Sequence, residues 1–280
     1  MGMVVRTNTM GINANRQLGM NNSAVAKSLE KLSSGFRINR AGDDASGLAI
    51  SEKMKAQIKG LEQASTNAQD AISLIQTAEG ATTEIHNMLN RMVELCTKAA
   101  NGTYESSTDR PAIQAELDQL CAEMDRIAGN TNFNGITLLD GNLADLNLQV
   151  GATSAEAVTL TISQSLKAAD LGVDKANLGD IGADADGSVA KGAIQTIKDA
   201  INDVSTVRGT LGAMQNRLEY TINNLDTTAE NMTAANSRIR DTDMAKEMMN
   251  YTKMNVLTQA AQAMLAQANQ QPQSVLQLLQ

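Results

Sequence analysis

The sequence predicts a mainly α protein, a long antiparallel helical bundle or coiled coil that carries one small β-hairpin. Three observations predict it. First, residues 194–239 hold a seam in which Ile197, Val204, Leu211, Leu218, Leu225, Met232 and Ile239 recur at every seventh position. The alternate seam position falls on Ile194, Ile201, Arg208, Gln215, Ile222, Ala229 and Asn236. An unbroken apolar series without proline describes a helix about 70 Å long at ~1.5 Å per residue, with a narrow stripe that other long helices must cover. Second, Pro111 and Pro272 are the only prolines among 280 residues, so glycine supplies most helix breaks elsewhere. Third, aromatics make up 2% of the chain and tryptophan is absent. A palette of Ala, Leu, Ile and Met fills rods and bundles rather than a thick pocketed core.

The elements follow in order. Leu18, Val25, Leu29 and Leu32 share one face of a weakly amphipathic helix over residues 13–34, which Gly35 ends. Asp43 or Asp44 then stands where it would cap the next helix. That helix carries a second long seam, from Met54, Ile58 and Leu61 through Ile75, Ile85, Leu89, Met92 and Cys96 to Ala99, and it stops at Asn101-Gly102. Asp109 caps a third helix with Pro111 in its first turn and Ile113, Leu117, Leu120, Met124 and Ile127 on its inner face. Asn134-Gly135 and Asp140-Gly141 mark tight turns. Beyond them Leu146, Leu148 and Val150, then Val158, Leu160 and Ile162, alternate with polar residues as a β-hairpin does. Residues 165–190, rich in Ala, Gly and Asp, read as a connector. After the long seam, Arg240-Asp241-Thr242-Asp243 breaks the helix, and a last one carries Met254, Leu257, Ala261, Met264 and Ala268 before Pro272 and an apolar tail that includes Leu276 and Leu279.

Composition excludes several functions. A net charge of −8 and the lack of a basic patch argue against nucleic acid as a partner. No apolar run reaches the ~20 residues of a membrane span, and no cleavable signal is visible at the N-terminus. His86 is the only histidine, so neither an HExxH motif nor a histidine-based triad exists, and no cofactor or metal site is expected. Cys96 sits on a seam as a small hydrophobe. An axial offset near 10 Å from Cys121, at ~1.5 Å per residue, argues against a disulfide between them. An enzyme would need clustered nucleophile, base or metal ligands, and none is present.

The two terminal helices cannot stand alone. Ordering ~30 residues costs roughly 30–60 kcal/mol of backbone entropy, while seven or so apolar side chains return about 10–20 kcal/mol. Such segments are expected to fold on association, with each other and with neighbouring copies.

Four separated stretches carry a resemblance that spans nearly the whole chain: LSSGFRINRAGDDASGLAIS (residues 32–51), NTNFNGITLLDG (130–141), LQVGA (148–152) and MLAQANQQPQSVLQLLQ (264–280). They resemble the signature segments of bacterial flagellin. The resemblance implies a secreted, extracellular subunit that polymerises into the flagellar filament after export through the flagellar type III apparatus. It implies an inner coiled-coil domain, D0, from residues 1–43 and 240–280, and a domain D1 of long helices and hairpin from 44–239, with no D2 or D3. The assembly seam would be Leu18, Val25, Leu29, Leu32, Leu257, Ala261, Met264, Leu276 and Leu279. Implied partners are further copies of the chain, an export chaperone, the filament cap, the hook-filament junction proteins and host Toll-like receptor 5, with no nucleic acid and no membrane insertion. By the same resemblance the receptor contact would be Arg91 and Leu95 on the second helix and Glu116 on the third. Arg91 and Leu95 form an i, i+4 pair off the Leu89-Met92-Cys96 seam, where both would meet a partner together. The alternatives are a hook-filament junction protein, which shares the terminal-helix design, and a cytosolic coiled-coil adaptor of fixed stoichiometry.

Overall fold

A computed structural model describes residues 8–105, 107–153, 155–183 and 187–278, with the side chains of 144 and 271–278 outside the description. Helices α1 (Thr9–Ser34), α2 (Ala45–Ala99) and α3 (Asp109–Asn130) come first. Strands β1 (Asn132–Phe133), β2 (Ile136–Thr137), β3 (Leu143–Gln149) and β4 (Ala157–Ile162) follow. The short α4 (Lys175–Leu178) and a 3-10 turn (Ile181–Ala183) precede the long α5 (Ser188–Arg240) and α6 (Met244–Leu278). The fold is mainly α, as expected. Two compact units are present, residues 59–229 and residues 1–58 with 230–280, so the division falls inside α2 and α5 rather than at their ends.

The unit 59–229 holds the apolar core. Ile197, Val204, Leu211, Leu218 and Leu225 of α5 are buried, while the alternate seam positions from Ile194 to Ile222 are half-buried. Ala193, Ala200 and Val207 are buried on the other flank, which centres the stripe on the fully apolar series. From α2 come Ala68, Ile75, Ala78, Ile85, Leu89, Met92, Cys96 and Ala99, and from α3 Ile113, Leu117 and Met124. Polar links within this unit also cross between α2 and α5: Ser65 Oγ donates to Asp226 Oδ1 at 3.0 Å, and Arg208 approaches Glu79 at 3.9 Å. Both cysteines are free, and burial raises each thiol to about 11, which keeps them protonated at neutral pH.

The β elements close against the same core. Asn134 and Gly135 both take positive φ, 50° and 83°, the two left-handed positions of a two-residue hairpin turn. This turn joins β1 to β2, a strand pair that the sequence showed only as a turn. In the larger hairpin Leu146 faces Leu160 and Leu148 faces Val158. Its register shifts between Leu143 and Leu146, where Asp145 stands at φ 55° and accepts a hydrogen bond from Thr161 Oγ1 at 3.1 Å.

Two expectations are corrected. The stretch 165–190 is no mere connector, because Leu166, Leu171, Val173, Leu178 and Ile181 are buried in the core and Gln114 of α3 accepts the Ile181 N–H at 3.0 Å. Its many alanines and glycines hid a few large residues at core-facing positions. The last helix also runs through Pro272 to Leu278 instead of ending before it. A proline inside a helix leaves the carbonyl four residues earlier without its usual donor. That carbonyl is Ala268 O, and the Asn8 side-chain amide donates to it at 2.8 Å.

Candidate functional site

The first signature stretch, 32–51, folds as a clasp between the α1–α2 linker and the α5–α6 linker. Gly35 ends α1 in the left-handed conformation, φ 74°, and its N–H donates to Lys31 O. Beyond it Phe36 and Asp241 form an isolated antiparallel bridge. Arg37 N–H donates to Arg240 O at 2.7 Å, Thr242 N–H donates to Gly35 O at 2.9 Å, and the Arg37 guanidinium reaches Ile239 O. The Arg240 guanidinium lies 4.6 Å from the Phe36 ring centre and binds Glu52 at 2.6 Å. Ile38 is buried against Gly47, where an added Cβ would come within 2.9 Å of Ile38 Cδ1. The motif therefore needs glycine at both places for different reasons, one for backbone conformation and one for space.

The two adjacent aspartates divide their work. Asp44 caps α2, accepting the Gly47 N–H at 2.9 Å. Asp43 binds Lys27 Nζ at 2.9 Å and accepts the N–H groups of Arg40 and Asn39 at 3.2 and 3.3 Å. The Lys27 ammonium, with these backbone donors, holds the Asp43 carboxyl down to about 2 from an ordinary 3.8. Because the folded value lies below the unfolded one, the contribution of Asp43 is complete above about pH 4 and disappears as pH falls through about 2. An Asp43→Asn variant is expected to melt a few degrees lower at pH 7, with a shallower loss of melting temperature between pH 4 and 2. An acid limb identical to that of the parent chain would show that Asp43 plays no such part.

Helices α1 and α6 pair within the terminal unit. The inner face of α1 runs through Gly11, Ala14, Leu18, Asn21, Val25, Ser28 and Leu32, and that of α6 through Tyr251, Met254, Thr258, Ala261, Leu265 and Ala268. Asn8 fixes one end of the pair, since its Oδ1 accepts the Gly11 N–H at 2.9 Å while its Nδ2 holds Ala268 O. Of the seam residues expected from sequence, Leu18, Val25, Leu32 and Ala261 lie on these inner faces and are half-buried. Leu29, Leu257 and Met264 are exposed instead, together with Met10, Ile12, Met20, Met249 and Val256. The side chain of Leu276 and the whole of Leu279 lie outside the described residues. Only Gly11 and Ser28 of α1 are buried, so the pair buries little apolar surface and leaves much of it facing outward.

A second surface lies on the unit 59–229. Arg91 Nε and Nη2 both donate to Glu116 Oε1, at 3.0 and 2.9 Å, and Nη1 binds Glu94 at 3.0 Å. These three side chains stand at the exposed junction of α2 and α3. Leu95 does not join them. It is 3% exposed, inside the core, because the core draws residues from α3 and α5 as well as α2 and so covers a wider arc of α2 than a two-helix seam would. Sequence spacing placed Arg91 and Leu95 on one face, but the third helix decides which of them is covered.

Among the described residues, no group of three or more His, Cys, Asp or Glu side chains is arranged to hold a metal ion. No described helix is long and apolar enough to cross a membrane.

Two family models match the chain. That for the bacterial flagellin N-terminal helical region covers residues 5–144, and that for the bacterial flagellin C-terminal helical region covers residues 194–279. The chain is 53% identical to a flagellin of Halalkalibacterium halodurans over 278 residues, which covers 99% of this chain and 100% of that one. With a flagellin of Bacillus subtilis it shares 50% identity over 310 residues, again 99% of this chain and 100% of the other. The crystal structure of Bacillus cereus flagellin is 35% identical and superposes with a TM-score of 0.49 over 61% of this chain and 94% of that one.

Proposed function

The chain belongs to the bacterial flagellin family, and on that premise we propose that copies of it polymerise into a flagellar filament that serves motility. The observation that supports this reading most is the outward apolar surface of the α1–α6 pair, which includes Ile12, Met20, Met249, Val256, Leu257 and Met264. A helix pair with so little interior gains its order from neighbours, so the terminal helices fold as the subunit is incorporated. Head-to-tail contacts that do not close on themselves then extend an open helical polymer. In this reading residues 1–43 and 240–280 form the inner domain D0, and residues 44–239 form D1. The subunit is exported through the flagellar apparatus with the help of an export chaperone, and its filament joins the hook-filament junction proteins at one end and the cap at the other.

Seeded elongation tests the proposal. The full chain is expected to grow long helical filaments on seeds, seen by electron microscopy, and a chain lacking residues 241–280 is expected to add nothing. Small discrete oligomers unaffected by the truncation would overturn the filament reading in favour of a fixed-stoichiometry coiled-coil protein.

Host Toll-like receptor 5 is the proposed partner of the D1 helices, through Arg91 and Glu116. An exposed guanidinium held by two carboxylates is a rigid, planar donor of the kind that anchors an interface. Leu95 supports that contact from beneath, as packing. Arg91→Ala is expected to weaken receptor activation by roughly tenfold or more, the scale of a hot-spot loss of about 2 kcal/mol. An unchanged dose response in reporter cells would remove the receptor from the list of partners.

A further inference from the structure

The methionines of this chain are segregated. Among the described residues, the exposed ones are Met10, Met20, Met244, Met248, Met249 and Met264, between 46% and 67% exposed, and all six lie in the terminal unit. In the unit 59–229, Met92 and Met124 are fully buried, and Met88 and Met214 pack against the core. The α5 seam from Ile197 through Val204 and Leu211 to Leu218 is built of Ile, Val and Leu. On the terminal surface, beside exposed Ile12, Leu29, Val256 and Leu257, stand six side chains that carry an oxidisable sulfur.

We propose that these six thioethers are sites of reversible sulfoxidation by hydroperoxides, and that their oxidation bars the subunit from incorporation. This rests on the filament reading above. A sulfur lone pair attacks the hydroxyl-bearing oxygen of the peroxide, the S–O bond forms as the O–O bond breaks, and the proton of the transferred hydroxyl passes to the departing oxygen, which leaves as water or an alcohol. The sulfur is oxidised by two electrons and the peroxide is reduced by two. The reaction needs contact between oxidant and sulfur, so exposed thioethers react before Met92 and Met124.

The product is a bulkier, strongly polar acceptor on a largely apolar surface. Past the first turns of α1 and α6 the backbone N–H groups are engaged along the helix; Met248 and Met249 lie with Thr252, Lys253, Val256 and Leu257, and Met10 and Met264 lie with Asn13, Ala14, Gln17 and Ala261. Covering a sulfoxide there strips its water, and the few donors nearby, such as Lys253 and Gln17, replace those hydrogen bonds only in part. Incorporation covers the surface, so the free subunit is the sensitive form and the finished filament the protected one. Reduction of the sulfoxide by methionine sulfoxide reductases, with two electrons from a dithiol that becomes a disulfide and the oxygen leaving as water, restores the thioether and with it assembly.

The test uses the full chain, limited hydrogen peroxide and peptide mass mapping. The six exposed methionines are expected to gain oxygen at least tenfold faster than Met92 and Met124, and at least tenfold faster in free subunit than in filament. Seeded elongation by the oxidised subunit is expected to fall at least tenfold and to return after treatment with methionine sulfoxide reductases of both stereospecificities. A variant carrying Met10→Leu, Met20→Leu, Met244→Leu, Met248→Leu, Met249→Leu and Met264→Leu is expected to elongate equally before and after peroxide. Unimpaired elongation by subunits oxidised at all six positions would overturn the proposal, as would a loss that the reductases do not reverse. Failure of the untreated parent chain to elongate would overturn the filament reading itself, and is seen in the arm without peroxide.

Discussion

Seeded elongation is expected to fall below detection in a Val25→Asp variant, while the unit 59–229 melts as in the parent chain. Val25 is half-buried on the inner face of α1, between Leu18 and Leu32 and facing α6. A carboxylate there loses part of its water and finds only Tyr251, Met254, Thr258, Ala261, Leu265 and Ala268 along the opposing face. Full burial of an unpaired charge costs several kcal/mol, and for a half-buried position about 2–4 kcal/mol is the appropriate scale. At 1.4 kcal/mol per factor of ten, the concentration needed for growth rises roughly 30- to 1,000-fold. None of these residues belongs to the unit 59–229, so its melting transition stays in place. Normal elongation by this variant would mean that the α1–α6 pairing is not what assembly uses.

Leu211→Ala is expected to act in the opposite unit and through a different term. Leu211 is fully buried at the centre of the α5 seam. Truncating it removes the transfer free energy of three carbons and leaves a cavity that long, straight helices cannot collapse to fill. Losses for such changes run about 2–5 kcal/mol, and at ~2–4 °C per kcal/mol for a unit of this size a loss of about 3–4 lowers the melting temperature by roughly 6–16 °C. A drop under 2 °C, at pH 7 by calorimetry, would show that this part of the seam is loosely packed.

How much of this could be read from the sequence varies with how sharply each helix contrasts its faces. In α5 the series from Ile197 to Leu225 is apolar at every step and flanked by polar residues, so one period fits and the buried stripe follows. The α2 seam was legible for the same reason, yet Leu95 was misplaced because burial there depends on α3, which periodicity within α2 cannot see. In α6, apolar residues occur on every side. Leu257 and Met264 fit a helical repeat as well as Thr258 and Leu265 do, and only the contact with α1 selects the latter pair. The Arg91–Glu116 pair joins residues 25 apart in sequence, and the resemblance, not the spacing, brought them together beforehand. The clasp was half visible. Gly35 as a helix stop and Asp44 as a cap followed from local rules, whereas the stacking of Arg240 on Phe36 links segments some two hundred residues apart and left no local sign.

The bond from Asn8 to Ala268 spans 260 positions. A ribosome adding ~5–20 residues per second needs about 13–52 s to travel that distance, and during this interval α1 exists without the helix that completes it. Chain growth thus imposes a delay on closure of the first helix, however favourable the pairing. The carbonyl that Asn8 satisfies is also orphaned only once Pro272 has been added, so the order of synthesis makes this bond among the last to become available. A nascent chain of this design remains an open thread at its leading end until the ribosome has passed Pro272, so its first helix waits on its last.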